Sequence, residues 1–499
     1  MTALDRAIAS PEPVEGLGRR SPMHGLDRRS VGFADVLAQS VSAVAPSAAA
    51  TTMPLLIAVV AGGASIWSLA LAMGLALLIA TTVNSFAKRI AATGSLYTFV
   101  AKTFGAGAAV VTGVGMLIGY GFIAMFALAG ASYYLVLLIG RFSPYLAASS
   151  AVAALIVGIL AAAVMLVLAR GIRLSTRVTL LVELISVTII LILVGALLVQ
   201  VGPTIDWSAL SLAGSSPTTL SVGAVVALTA FVGFESSATL GVEARKPYAT
   251  IPRAIVWTVM VSGGLYLLAS FSQLVGFASL GQDIRSSGSP VNDLATAFGL
   301  EWMGVLLDVS IAASFLACAI ASTTALARVL FTMGREGLLP EAFGRAHARY
   351  RTPFTAVLVT VPVIAIVPII AVFVGDGLWP AMGVLLVVAA AGYITSYILV
   401  CAAAPVFLKR IGEFTVWAGV RGAVTSLLLA GVLVVYLVAE ALSSRAAGVW
   451  MFGVVMLVGV TAYRLRVRRR PWLRETIGAW DEPSAGDVLG GAVSDVRRD

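Results

Sequence analysis

The sequence predicts an all-α membrane protein with twelve transmembrane helices, and three observations carry this prediction. Hydrophobic residues make up 59% of the 499 residues and charged residues only 11%, whereas a soluble protein carries about 25% charged residues. The apolar residues form separate runs of about 20 residues or more, the length that a helix needs to cross a bilayer. Lysines and arginines lie almost entirely on one side of these runs, as membrane topology requires.

The apolar runs define the predicted spans. The twelve segments are residues 35–61, 65–87, 106–140, 145–169, 175–201, 219–244, 253–281, 302–333, 354–375, 378–407, 421–440 and 446–465. The third and the eighth are long enough to tilt or to extend past the bilayer.

The basic residues set the orientation of these spans. If the N-terminus lies in the cytoplasm, only Arg141, Arg285 and Arg445 of the 33 lysines and arginines fall outside. One missed span would invert every later loop, so this asymmetry supports the count and a topology with both termini in the cytoplasm. The net charge of +9 therefore reflects topology and predicts no nucleic-acid partner.

The chain is predicted to have four parts. Residues 1–34 are polar and contain several prolines, so we expect a disordered cytoplasmic tail. Residues 35–407 form a ten-helix core, and residues 408–465 hold helices 11 and 12. Residues 466–499 are predicted to be a basic cytoplasmic tail.

Metal, cofactor and enzyme chemistry are not expected. The two cysteines, Cys318 and Cys401, lie in apolar segments, and the two histidines, His24 and His347, have no metal ligand at useful spacing. The sequence contains no phosphate-binding loop and no nucleophile–base pair. We therefore expect no metal site, no cofactor and no covalent chemistry.

The first span is weakened near its middle by Pro46. Proline lacks a backbone N–H and clashes with the preceding turn, so we expect the first half-helix to end near Val44. Proline also suits the first position of a second half-helix, which would put Ser47 at a positive helix N-terminus.

The sixth span contains Glu235 inside an apolar run, followed by Ser236 and Ser237. A carboxylate at that depth is costly and is usually functional. With Gly233 beside it, this segment predicts a helix that breaks at mid-membrane and exposes backbone groups to a ligand.

The two predicted breaks lie in the first members of two five-helix sets of opposite orientation. This layout is typical of an inverted-repeat secondary transporter, with the substrate at the two breaks. The alternative is that Pro46 only kinks its helix and that Glu235 pairs with a neighbouring polar group.

Three motifs resemble the amino acid–polyamine–organocation (APC) family of secondary transporters. The first is Phe231-Val-Gly-Phe-Glu235, with Glu243, Lys246-Pro247 and Ile251-Pro-Arg-Ala-Ile255 after it. The others are Arg328-Val-Leu-Phe-Thr-Met-Gly-Arg-Glu-Gly-Leu-Leu-Pro340 with Thr352-Pro353, and Ala92-Thr-Gly-Ser-Leu-Tyr97. The resemblance implies a LeuT-like fold of five plus five inverted-repeat helices with two further helices, and alternating access around a central site.

The resemblance also implies a substrate site, because relatives bind charged head groups at the backbone of the broken first and sixth helices. Aromatic side chains near such a break commonly gate it, so Phe231 and Phe234 are candidate gates. Carried over, the implied site comprises Ser42, Ala43, Ala45, Pro46, Ser47, Phe231, Val232, Gly233, Phe234 and Glu235.

One position departs from the family pattern. Amino acid transporters often have Gly-x-Gly at the first break, where bare N–H groups receive the substrate carboxylate. Here the aligned residues are Ala45-Pro46-Ser47. A carboxylate would use the Ser47 N–H and hydroxyl with the helix dipole, whereas an amine or polyamine would use carbonyls and Glu235, so both substrate classes stay open.

Four carboxylates lie inside the spans. Burial disfavours the charged form of Glu235 and a nearby cation favours it, so this group could alternate between a proton and a cationic substrate group. Exchangers of arginine and agmatine in the family carry a glutamate at the matching place. Glu183 in span five either binds a proton or pairs with Arg177 or another basic residue. For Asp308 and Glu440 we expect solvated positions at helix ends.

Hydroxyl groups in span eight leave a sodium site open. Sodium-coupled relatives of this fold use Ser or Thr oxygens of the eighth helix, and Ser322, Thr323 and Thr324 occupy that segment. The alternative is that such hydroxyls bond their own i−4 carbonyls, which is the commoner case.

We therefore expect a secondary transporter in the cell membrane for an amino acid or related amine, coupled to protons or working as an exchanger. Its partners would be the small-molecule substrate, a proton or counter-substrate, and the bilayer, with the oligomeric state left open.

Tyr393, Ser396 and Tyr397 in span ten either line the inner path or serve helix packing. The rivals are a polyamine or organic-cation transporter of the same fold, a membrane sensor, which would need an added signalling domain, and an ion channel, which would need an open pore.

Overall fold

The structure of the protein is a computed structural model. It describes residues 26–202, 205, 207, 211–212, 215–287, 289–300, 302–374 and 377–478. Most of the two predicted tails, and His24 with them, lie outside these residues. Within the described chain, β pairing is limited to one bridge between Val31 and Ala244, so the prediction of an all-α protein is confirmed.

The longer helices follow one another with short connections. They are α1 (Phe33–Val44), α2 (Pro46–Ala61), α3 (Ser65–Ala87), α4 (Leu96–Phe104), α5 (Ala106–Gly140), α6 (Ser150–Ala169), α7 (Ile172–Val201), α8 (Pro217–Leu228), α9 (Pro247–Ser279), α10 (Pro290–Ala297), α11 (Trp302–Arg335), α12 (Phe354–Val374), α13 (Leu378–Arg410), α14 (Val416–Ala441) and α15 (Ala446–Arg469). Short helical turns cover Gly62–Ala64, Pro144–Ala147, Thr229–Phe231, Ser236–Leu240, Ile284–Ser286, Glu341–Gly344 and Leu473–Thr476.

The predicted spans recur as helices with small changes at their ends. In the described chain, 11 stretches are long and apolar enough to cross a membrane. One of them, Phe33–Ala87, contains the first two predicted spans, and each of the others corresponds to one later span. The count of twelve crossings stays a prediction. The largest change is in span six, where the α-helix ends at Leu228 rather than near residue 244.

Helices α5, α11 and α13 form the centre of the bundle, and their side chains are largely buried. Glycines let α5 and α13 approach closely. A Cβ on Gly392 would lie 2.7 Å from the Gly115 carbonyl oxygen, and a Cβ on Gly119 would lie 2.9 Å from the Tyr393 ring. The backbones of the two helices therefore approach directly at Gly392 and Gly115, and the Tyr393 ring packs against the α5 backbone at Gly119.

Two helices were not predicted from the sequence. Helix α4 follows α3 with a buried face that includes Tyr97 and Phe99, and α10 lies against the outer ends of α9 and α11. Both are far shorter than a membrane span, so a search for runs of about 20 apolar residues passes over them.

The segment before α1 pairs with the segment that follows the Ser236–Leu240 turn. The backbone N–H of Arg29 donates to the Val242 carbonyl at 3.2 Å, and that of Val31 donates to the Glu243 carbonyl at 3.1 Å. The Arg245 N–H returns a bond to the Val31 carbonyl at 3.0 Å. We call this end of the bundle the inner face and the opposite end, which holds Arg141 and Arg445, the outer face.

The segment after α15 also docks on the inner face, around the carboxyl group of Glu336. The Gly478 N–H donates to this carboxylate at 2.8 Å, and the Tyr97 hydroxyl donates to its other oxygen. The Thr476 hydroxyl donates to the Glu336 carbonyl at 3.1 Å. One fully buried glutamate thus ties α4, the end of α11 and the segment after α15 together.

The expectation of solvated positions for Asp308 and Glu440 is wrong. The Asp308 side chain is 0% exposed and accepts bonds from Arg141 at 2.7 Å and from Asn292 at 3.0 Å. Glu440 is 5% exposed and pairs with Arg445 at 2.7 Å. A nearby arginine compensates the desolvation of each carboxylate, so a helix-end acid need not face water.

Candidate functional site

The first helix is interrupted between α1 and α2. Ala45 has φ +49°, in the left-handed region, and its N–H donates to the Ser42 carbonyl at 3.1 Å. Pro46 takes the first position of α2. Because proline has no N–H to continue the helix and fixes its own φ, the chain turns at Ala45 and starts a new helix.

The sixth-span segment changes conformation over a longer stretch. After α8 ends at Leu228, a short turn leads to Val232, which is extended, and then to Gly233, with φ +96°. Glycine adopts this φ without strain. A tighter turn over Ser236–Leu240 follows, and regular α-helix resumes only at Pro247.

Hydrogen bonds join the two interruptions. The Tyr266 hydroxyl lies 3.3 Å from the Val44 carbonyl oxygen and 3.2 Å from the Ala230 carbonyl oxygen. Both carbonyls face the same hydroxyl because the helix ends leave them without a regular intrahelical donor. Tyr266 therefore links the end of α1 to the turn that follows α8.

A second set of bonds joins the chain on the inner side of the breaks. The Ser236 hydroxyl donates to the Gln39 carbonyl at 3.1 Å, and the Ser237 N–H donates to the Ser40 hydroxyl at 3.0 Å. The Gln39 side chain donates to the Ala321 carbonyl of α11 at 2.8 Å. Helix α1 is therefore held to both the sixth-span segment and α11.

Glu235 is 0% exposed and lies among tyrosines. The Tyr120 hydroxyl donates to one carboxylate oxygen at 2.8 Å, and the Tyr397 hydroxyl donates to the other. The Gly233 N–H donates to the same Tyr397 hydroxyl at 3.2 Å. The carboxylate is thus connected through Tyr397 to the backbone of the break.

Glu183 lies beside the start of α2, and its partner is a hydroxyl group. The Ser314 hydroxyl lies 2.9 and 3.2 Å from the two carboxylate oxygens, and it accepts a bond from the Ala48 N–H at 3.4 Å. The predicted alternative, an ion pair with Arg177, is not observed, because the described ion pairs of the chain include neither residue.

The three hydroxyls of the predicted ion site are engaged in separate contacts. Thr323 donates to the Ala319 carbonyl of its own helix at 2.7 Å. The Thr324 hydroxyl lies 3.5 Å from the Ser175 hydroxyl, and the Ser322 hydroxyl lies 3.8 Å from the Cys318 sulfur. At Thr323 the contact is the ordinary i−4 bond of a helical threonine.

A cavity of about 20 Å³ lies between the two interruptions, which is room for about one water molecule. Ala43, Val44 and Ala45 line it from the first break, and Ala230 and Val232 from the sixth span. The rest of the wall is apolar except for two threonines and one cysteine, and comprises Ala49, Thr52, Met53, Ile123, Phe126, Thr229, Phe315, Cys318 and Leu386.

Of the ten predicted substrate-site residues, Ala43, Ala45 and Val232 line this cavity, and the other seven do not. Phe231 packs on Tyr266 with ring centroids 5.3 Å apart, and Phe234 packs on Tyr397 at 5.5 Å. Ser42 and Ser47 are fully buried beside the first break. The sequence reasoning missed Tyr120 and Tyr266, because a lone tyrosine in an apolar span also serves ordinary packing. It also missed Gln39, whose polar side chain within the first span was a usable signal.

Three comparisons relate the chain to known proteins. A family model described as amino acid permease matches residues 31–462. The branched-chain amino acid permease BcaP of Bacillus subtilis (strain 168) is 24% identical over 312 residues, which are 60% of this chain and 66% of that protein. The methylthioribose transporter of the same organism is 26% identical over 355 residues, which are 69% of this chain and 75% of that protein.

The fold also resembles a solved transporter. The crystal structure of MhsT in complex with L-phenylalanine matches with a TM-score of 0.57 and 14% identity, covering 83% of this chain and 99% of that chain. This likeness confirms the predicted LeuT-like fold class. The residues of the site and the use of the two interruptions stay predictions.

Proposed function

We propose a transport function for this chain, which belongs to the amino acid permease family. It is a multi-pass membrane protein of a transporter family, and we infer that it carries amino acids or related amines by alternating access at the two interruptions. The observation that supports this most is that residues from both interruptions line one cavity. Unwound backbone at such a point offers carbonyl and N–H groups that lipid would never satisfy.

The preferred substrate in this proposal is a neutral amino acid with an apolar side chain. The cavity wall contains Met53, Ile123, Phe126, Phe315 and Leu386 and no charged side chain. A cationic side chain there would lose its hydration without gaining a partner. The relatives are named for different substrates, so the choice of a neutral amino acid rests on the composition of the cavity wall.

A polyamine or other organic cation is the second candidate, and Glu235 favours it. This carboxylate already accepts bonds from the hydroxyls of Tyr120 and Tyr397. Because no charged side chain lines the cavity, we rank this candidate below the neutral amino acid.

For coupling we propose a proton or exchange rather than sodium. Glu235 and Glu183 are both buried and held by hydroxyl groups, so each can gain or lose a proton without breaking an ion pair. The three span-eight hydroxyls each contact another group of the protein, so the structure offers no separate support for a sodium ion. We place the protein in the cell membrane with both termini in the cytoplasm, on the basis of its basic residues.

Transport into liposomes tests the proposal. The purified chain is reconstituted and offered labelled L-leucine, L-phenylalanine, L-arginine and putrescine, with and without a pH gradient and with sodium or potassium. We expect uptake of leucine or phenylalanine that responds to the pH gradient or to counter-substrate, and no need for sodium. If none of the four compounds moves under any condition, the proposed function fails.

A further inference from the structure

Arg421 lies in the second turn of α14, near the inner face, and has no carboxylate partner among the residues that the structure describes. One of its Nη atoms donates to the Ser85 hydroxyl of α3 at 3.3 Å, and its Nε atom is buried without an acceptor. A guanidinium group presents five N–H donors. The described protein contacts therefore leave this group short of acceptors and without a counter-charge.

A second guanidinium group shares the same serine. Arg89 donates from Nη1 to the Ser85 carbonyl at 2.7 Å, and its charge is balanced by an ion pair with Glu413. Two like charges beside one residue repel each other unless each has a counter-charge. Because Glu413 serves Arg89, an anion is still needed at Arg421.

The face of α14 that carries Arg421 is turned towards the bilayer. Trp417, Arg421, Val424 and Leu428 follow one another at spacings of four, three and four residues, which places them on one side of the helix. Trp417, Val424 and Leu428 are 70%, 44% and 50% exposed, and Arg421 itself is partly exposed. Helix α14 is long and apolar enough to cross a membrane, so this side of it meets lipid.

The order of these residues along α14 matches the order of the parts of a phospholipid. Trp417 is nearest to the inner end of the helix, and tryptophan is enriched at the level of the lipid head groups. Val424 and Leu428 follow further into the bilayer, where acyl chains lie. Arg421 stands between them, at the level where a lipid carries its phosphate.

We propose that Arg421 binds the phosphate group of an anionic phospholipid in the inner leaflet, with the acyl chains of the lipid along Val424 and Leu428. A phosphate accepts two parallel hydrogen bonds from a guanidinium group and supplies the missing negative charge. The inner end of α13 adds Lys409 and Arg410 nearby in the chain. A zwitterionic lipid would bring a further positive charge into this basic region, whereas an anionic lipid would not. The inference is independent of which substrate the chain carries.

The test is the thermal unfolding midpoint of the purified full-length chain in detergent, titrated with phosphatidylglycerol or with phosphatidylcholine of the same acyl chains. A ligand that binds the folded state raises this midpoint by mass action. We expect phosphatidylglycerol to raise the midpoint of wild type more than phosphatidylcholine does. Arg421→Gln should bind phosphatidylglycerol about tenfold or more weakly, as for the loss of hydrogen bonds to a charged group. Equal affinity in wild type and Arg421→Gln would overturn the proposal.

Two further variants separate a built site from general surface charge. Arg170→Gln removes an exposed arginine at the end of α6 and should keep the affinity of wild type. An equal loss in this variant would show attraction to basic surface in general and would reject the site. Arg421→Lys keeps the charge but not the planar pair of donors, so its affinity should fall between those of wild type and Arg421→Gln.

The lysine variant also serves if Arg421→Gln does not fold, since wild-type affinity in Arg421→Lys would contradict recognition by paired hydrogen bonds. Inorganic phosphate alone distinguishes a lipid from a soluble anion. We expect it to leave the midpoint of wild type unchanged at concentrations where phosphatidylglycerol acts. A shift as large as that with the lipid would show a soluble-anion site and overturn the proposal.

Discussion

Two carboxylates at the centre of the helix bundle, Glu235 and Glu183, have different partners from two near its faces, Glu243 and Asp308. At the centre, Glu235 and Glu183 are held by the hydroxyls of tyrosine and serine. Near the inner face, Glu243 receives two bonds from Arg328, at 2.7 and 2.8 Å, and both side chains are buried. Near the outer face, Asp308 pairs with Arg141.

This difference separates fixed charges from exchangeable ones. An arginine stays protonated at every accessible pH, so a carboxylate paired with it stays charged and serves to hold helices together. A hydroxyl partner can donate to a carboxylate or accept from a carboxylic acid. Glu235 and Glu183 can therefore change protonation or partner, whereas Glu243 and Asp308 cannot do so without losing an ion pair.

The largest effect is expected from breaking the buried pair near the inner face. Arg328→Met leaves the buried Glu243 carboxyl group without its arginine partner, which should cost about 3–5 kcal/mol of stability. The measurement is the thermal or denaturant unfolding midpoint in detergent. Arg89→Met, which removes a half-exposed partner of Glu413, is the matched control and should change the midpoint little. Equal losses of stability in the two variants would contradict the difference between the buried and the exposed ion pair.

The next prediction concerns transport rather than stability. Glu235→Gln keeps the shape of the side chain but removes its ability to gain and lose a proton. We expect uptake to fall by about tenfold or more, the change that follows from about 1.4 kcal/mol in the rate-limiting barrier, and the response to a pH gradient to disappear. The unfolding midpoint should change less than in Arg328→Met. Uptake that keeps its pH response in this variant would contradict the role of Glu235.

A smaller loss is expected at Glu183. Ser314→Ala removes the hydroxyl that bonds both this carboxylate and the Ala48 N–H, so stability should fall by about 1–3 kcal/mol. Asn292→Ala is the matched change near the outer face, where Asp308 keeps Arg141. It should cost only about 0.5–1.5 kcal/mol. Denaturant titrations compare the two, and a larger loss at Asn292 would reverse the proposed order.

The smallest effect belongs to an exposed pair and depends on pH. The hydrogen bond and charge of Arg89 lower the pKa of Glu413 from its ordinary value of 4.5. A lowered carboxyl pKa contributes stability above the unfolded value, and this contribution is lost as pH falls through the folded value. Wild type should therefore unfold at a slightly higher temperature than Glu413→Gln at neutral pH. The difference should vanish in acid, and a difference that grows in acid would contradict it.

The positions of the main features could be predicted from the sequence, because a buried charge or a missing backbone donor costs free energy in a bilayer. Glu235 and Pro46 stand out in apolar runs, since a buried charge and a missing N–H need compensation. Tyr120 and Tyr266 do not stand out, because a lone aromatic residue in a span also serves ordinary packing. Only the fold shows that their hydroxyls meet Glu235 and the carbonyls of Val44 and Ala230.

Partners distant in sequence account for the other differences. The prediction for Asp308 failed because Arg141 is 167 residues away along the chain. For Glu183 the predicted ion pair with Arg177 is not observed, and proton binding stays a prediction. Its partner Ser314 lies on another helix and has no sequence signal of its own. Pairings of this kind depend on which helices pack together, whereas the hydropathy of the sequence indicates only where the helices lie along the chain.

The backbone pairing at the inner face makes separation of the two paired segments measurable without attaching a chemical probe. The amides of Arg29, Val31 and Arg245 are each bonded across the two paired segments. Exchange of such amide hydrogens with deuterium requires the bond to open. The exchange rate of these three amides would thus report the fraction of time that the first segment is released, and adding substrate or changing pH would read out as a shift in that fraction.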